Sequence, residues 1–144
     1  MKRKMYSFFT FLLVFLVTSC FFVGCQKETG DTKASVVQTT DNMIVIQVSE
    51  VEGEATLLSV MEMLQESEKI DFVISGGMVT EINGKANTAD FSSCWMLYTS
   101  DKELSNVEWG TVSYEGKSYG SAIVGAETLT VMPGEYYIWS YQSF

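Results

Sequence analysis

The 144-residue chain has no histidine, one proline and three cysteines. Without an imidazole, Ser-His-Asp and Cys-His catalysis are excluded, and so is every metal site built on histidine. Cys20 and Cys25 belong to an apolar N-terminal stretch and its border, which leaves Cys94 as the only other thiol. The domain that follows therefore has no intrachain disulfide available and must be held by packing. Cys94 itself, inside SSCWMLY, reads as a small buried hydrophobe. Basic residues are also scarce. Lys2, Arg3 and Lys4 supply three of the nine, whereas all eighteen acidic residues lie beyond Cys25, so residues 25–144 carry a net charge of −12. That field repels phosphate backbones, and nucleic acid is not expected as a partner. Glu50, Glu52 and Glu54, like Asp101 and Glu103, are sequence neighbours with the pattern of a solvated surface, not two carboxylates facing each other across a cleft. No segment alternates oxygen ligands with glycine as a calcium loop does. The sequence thus offers no catalytic residue and no metal ligand, and an enzyme is not expected.

What the chain does have is an apolar run without any charge, SFFTFLLVFLVTSCFFVG from Ser7 to Gly24, behind the basic Lys2, Arg3 and Lys4. This is the pattern of a secretory signal, although a run of about 18 residues also suffices to span a bilayer as an uncleaved helix. Phe22-Val23-Gly24-Cys25 resembles a bacterial lipobox, departing from it only at the first position. Val17-Thr18-Ser19-Cys20 fits that pattern letter for letter, but cleavage there would leave Phe21, Phe22 and Val23 next to the lipid, whereas Cys25 is followed by polar residues. The resemblance implies residues 1–24 as a lipoprotein signal peptide, Cys25 as the lipid attachment site with Cys20 as the alternative, and a place on the outer face of a bacterial cytoplasmic membrane.

Residues 25–42 are polar and short of large apolar side chains, and read as a lipidated, flexible tether. The folded domain is expected over 43–144. MIVIQVS at 43–49 is a β-branched run fit for a buried strand. Between Glu54 and Ser67, Leu57, Val60, Met61 and Leu64 recur at i, i+3, i+4 and i+7, which predicts one apolar face of a helix. Strands follow at 72–75, 78–82 and 94–100, with turns at Gly76-Gly77, Asn83-Gly84 and Glu115-Gly116 and a loop at 85–93. Pro133-Gly134 is expected to join 128–132 to 135–142 in a hairpin. In EYYIWSYQ the period of two places Tyr137, Trp139 and Tyr141 on one face and Tyr136 and Ile138 on the other. One helix among strands gives an α+β domain with the helix packed on a mostly antiparallel or mixed sheet.

The helix TLLSVMEML, the turn Ile82-Asn83-Gly84, the strand carrying Trp95 and Tyr98, and Gly134 followed by Ile138, Trp139 and Tyr141 resemble, in order and spacing, the DUF4430 family. That family is similar to the C-terminal domain of the transcobalamin and intrinsic-factor group. The resemblance covers about residues 43–142 and implies a β-grasp-like fold and a small extracellular binding module, with cobalamin as a possible ligand and no resident cofactor. The segment KELSNVEWGTVSYEGKSYGSA is an insertion relative to it. Aromatic rings with polar tips suit flat ligands but equally suit a packed sheet. Trp95 and Trp139 are expected in the core. Trp109, between turn-like residues, is the better candidate for a site, with Tyr119 beside it and Tyr98 at the rim of a concave patch. Two functions follow: a membrane-anchored surface lipoprotein that binds a small molecule or delivers it to a transporter, or a docking module for another envelope protein with no small ligand.

Overall fold

The computed structural model describes residues 31–144. The signal segment, Cys20 and Cys25 lie outside the described residues. The chain begins with strand β1 (Lys33–Thr40), turns at Asp41-Asn42 and returns as β2 (Met43–Glu50). Helix α1 (Leu57–Glu66) follows, then β3 (Phe72–Ser75), β4 (Met78–Ile82) and the two-residue β5 (Lys85–Ala86). β6 (Ser93–Thr99), β7 (Ser105–Tyr114), β8 (Lys117–Ala122) and β9 (Tyr136–Ser143) complete the domain. Six strands form one antiparallel sheet in the order β1-β2-β9-β6-β8-β7, and β3-β4-β5 form a second.

This architecture corrects the expected α+β, β-grasp-like arrangement: the fold is dominated by two antiparallel sheets, with a single ten-residue helix among the described residues. Two segments tip the balance. KASVVQTT, read as part of the tether, pairs along β2 as an edge strand whose side chains alternate between exposed and half-buried. A register shift at Val36 to Gln38 and the charged Lys33 keep this edge from offering a flat template for further pairing. The insertion of residues 102–122 becomes the β7–β8 hairpin, turning at Glu115 and Gly116, both with positive φ (47° and 74°).

The helix forms as its spacing predicts. Leu57, Val60, Met61 and Leu64 are its buried residues, and Thr56 caps it, accepting from the Ser59 amide at 3.3 Å while the Thr56 amide donates to Ser59 Oγ at 3.1 Å. Its apolar face meets Ile44, Ile46 and Val48 of β2, Trp95 and Leu97 of β6, and Tyr137 and Trp139 of β9. The alternation of β9 is as expected: Tyr137, Trp139 and Tyr141 face this main core, and Tyr136 and Ile138 face the other side.

The hairpin expected across Pro133-Gly134 does not form. Leu129 and Val131 are fully buried, but their backbone serves the entry to the helix: Leu129 O accepts from the Leu57 amide at 2.8 Å, and the Val131 amide donates to Ala55 O at 2.9 Å. Proline lacks an amide proton, and Gly134, at φ 87°, turns the chain so that its own amide reaches Val48 O at 2.7 Å. β9 is then free to run between β2 and β6, the centre of the large sheet.

Candidate functional site

Between the large sheet and the β3–β4 hairpin lies a cleft of about 220 Å³. Its floor is β6 from Cys94 to Leu97, with Trp139 of β9 beside it. One wall is Ile74, Met78 and Val79; the other is the loop of Gly125, Ala126 and Glu127. Gly76 and Gly77 take φ values of 59° and 78°, so the turn over the mouth closes without side chains. A Cβ on Gly77 would stand 3.6 Å from Glu127 Oε2.

The wall is fixed to the floor by polar contacts that replace the missing strand pairing. Asn87 accepts the Trp95 amide on Oδ1 at 2.8 Å and donates from Nδ2 to Val79 O at 3.2 Å. Trp95 Nε1 donates to Lys85 O at 2.7 Å, and Tyr141 Oη donates to Ala86 O at 2.9 Å. Trp95 and Tyr141 meet edge to face with centroids 5.3 Å apart, and Lys85 Nζ sits 4.2 Å from the Tyr141 centroid. Trp139 has no such partner. Its Nε1 is buried with no hydrogen-bond partner among the described residues.

At the mouth, two large apolar side chains face water, Met78 at 53% exposure and Phe91 at 48%. Phe91 has φ 56°, an uncommon backbone state for a bulky residue. The turn that imposes it is tied by Asp90, whose Oδ1 accepts from the Ser92 amide at 3.1 Å and from Ser92 Oγ at 2.8 Å. These hydrogen bonds hold the Asp90 carboxyl down at about 2. Cys94 is buried, burial pushes its thiol up, and its sulfur lines the cleft.

The aromatic patch expected around Tyr98, Trp109 and Tyr119 takes a different form. Tyr98 and Tyr119 do come together, but at 5% and 6% exposure they pack with Val45, Val112 and Ile138 in a second core on the opposite face of the large sheet. The β7–β8 insertion supplies Val112 and Tyr119, which cover Tyr98. Tyr119 also forms a triangle with Tyr114 and Tyr136, with ring centroids 5.8–6.4 Å apart. Burial raises the phenols of Tyr98 and Tyr119 above their ordinary value. Trp109 is separate. β7 pairs with β8 at Asn106 and resumes at Thr111, so residues 107–110 bulge out unpaired, and Val107 and Trp109 stand 65% and 63% exposed. A shallow groove of about 700 Å³, bounded by Lys102, Glu108, Lys117 and Tyr119 among others, runs alongside.

Sequence reasoning missed the cleft because its residues come from four separate segments, and its one local signal was the Gly76-Gly77 pair. Among the described residues there is no group of three or more acidic or thiol side chains placed to hold a metal ion, and no helix long and apolar enough to cross a membrane. Comparison with known proteins returns no match among family models, curated proteins or solved structures.

Proposed function

We propose that this chain is a surface lipoprotein, anchored through Cys25 at the outer face of a bacterial cytoplasmic membrane, whose domain holds a small ligand in the cleft between its two sheets. The observation that carries this reading is the cleft itself: apolar, concave, walled by a hairpin pinned through Asn87, and rimmed by exposed Met78 and Phe91. Concave apolar sites with a few convergent polar groups are where small molecules bind. At about 220 Å³ the cleft lies below the roughly 300–1,000 Å³ of sites for drug-sized ligands, which favours a compact molecule over a corrin macrocycle. A cobalamin-like ligand would have to rest on the mouth, outside the cleft.

A second reading, docking on an envelope protein, is favoured by Val107 and Trp109, since exposed tryptophans often anchor interfaces. Calorimetry of the full chain against small apolar compounds, corrinoids, haem-like macrocycles, sugars and short peptides separates the two. Saturable binding of the small compounds, lost when Ala126→Leu fills the cleft, supports the ligand reading. A silent panel, with an envelope protein captured by the parent and not by Trp109→Ala, overturns it in favour of docking.

A further inference from the structure

We propose that the cleft takes a small organic cation with an apolar body, the charge resting at Glu127 and the body against Trp139. The inference rests on the cleft being the binding site and adds the chemistry of its ligand. Among the described residues Glu127 is the one charged residue lining an otherwise largely apolar cleft, and it is exposed. Among the described residues the ion pair within 4.0 Å is Lys33 with Glu50 at 2.7 Å, so no described lysine neutralises Glu127. The bare Gly77 backbone beside Glu127 Oε2 leaves room at the mouth that any side chain at 77 would occupy.

The rest of the molecule points the same way. Residues 25–144 carry −12, a field that draws cations toward the cleft and repels acids. Trp139 and Phe91 supply aromatic rings at floor and rim, and ring faces attract cations, most strongly those of tryptophan. An apolar acid of the same shape would gain the burial but meet Glu127 and the net charge unfavourably. A neutral compound would gain the burial alone.

The test uses three probes of nearly equal shape, 2-phenylethylammonium, n-propylbenzene and 3-phenylpropionate, titrated into the full chain held in zwitterionic phosphatidylcholine nanodiscs. Empty nanodiscs correct for partitioning, and the Trp139 indole N–H resonance reports occupancy of the cleft. The ammonium is expected to bind tightest and the carboxylate weakest. Glu127→Gln should weaken the ammonium about threefold, as for a partly exposed ion pair, and leave n-propylbenzene unchanged. Glu108→Gln, which alters net charge equally but lies on the β7 bulge, should change neither. Equal binding of all three probes, or equal effects of the two substitutions, overturns the cation inference while the cleft stands as a site. No probe moving the Trp139 resonance overturns the reading of the cleft as a site.

Discussion

Tyr137→Phe gives a stability difference that should vanish with pH. Tyr137 is fully buried in the main core, and its hydroxyl accepts the Met132 amide at 2.8 Å. Burial, with a smaller contribution from Glu135 and Asp101, pushes its phenol up to about 12, against an ordinary value of about 10. Removing the hydroxyl leaves the Met132 amide without its acceptor, at a cost of about 1–1.5 kcal/mol at neutral pH. The linkage has the opposite sign. The folded state keeps the Tyr137 proton to higher pH than the unfolded state does, so the parent's stability is intact below pH 10 and falls as pH rises toward 12. At pH 11 the parent has lost about 1.4 kcal/mol through this group, and the Phe variant has lost none of it. Tyr98 and Tyr119 are raised too, but they are common to both proteins and cancel in the difference. Urea unfolding followed by tryptophan fluorescence should therefore show the variant less stable from pH 7 to 9 and level with the parent near pH 11. A difference that stays constant over that range would mean that the Tyr137 phenol is not raised by folding.

Leu64→Asp places an unpaired charge where a 3%-exposed leucine fills the core, and the lost packing alone is worth about 2–5 kcal/mol. Circular dichroism should find the variant unfolded at 25 °C, and a parent-like melt would contradict the packing of the helix. Gly120→Ala would put a methyl group 3.1 Å from Ser105 Cβ and 3.2 Å from the backbone of Asn106 and Val107. The expected loss is about 1–3 kcal/mol, read as a lower melting temperature; a gain would show that the β7–β8 crossing has slack. Cys25→Ala should release the protein from the membrane fraction with its fold intact, and unchanged attachment would contradict lipidation at that residue.

Local pattern carried part of this fold. The 3.6 spacing of Leu57 to Leu64 and the period of two in β9 each reproduce the observed faces, because both are set within one element: the helix lays a single face on the main core, and β9 divides its side chains between the two cores. The turns at Gly76-Gly77, Asn83-Gly84 and Glu115-Gly116 are legible because each carries a glycine at positive φ, with Asn83 also suited to that region. β1 was not, since an edge strand half in water needs few large apolar residues and KASVVQTT has only Ala34, Val36 and Val37. Extended residues 128–132 resemble a strand in composition, yet their backbone pairs with the start of the helix, a choice set by tertiary packing. The site was less legible than the fold. Whether Tyr98 meets a ligand or a neighbour depends on where the insertion folds, and the cleft joins Ile74, Cys94, Ala126 and Trp139 from segments far apart in the chain.

Methyl-resolved NMR of the full chain titrated with 2-phenylethylammonium and with n-propylbenzene reads whether a ligand sits between the two sheets. Shifts are expected at the methyl groups of Met78, Val79, Leu97 and Ala126, with Met43 and Val107 unmoved. Shifts confined to Val107 and its neighbours, or none with either compound, would mean that the cleft is not the binding site.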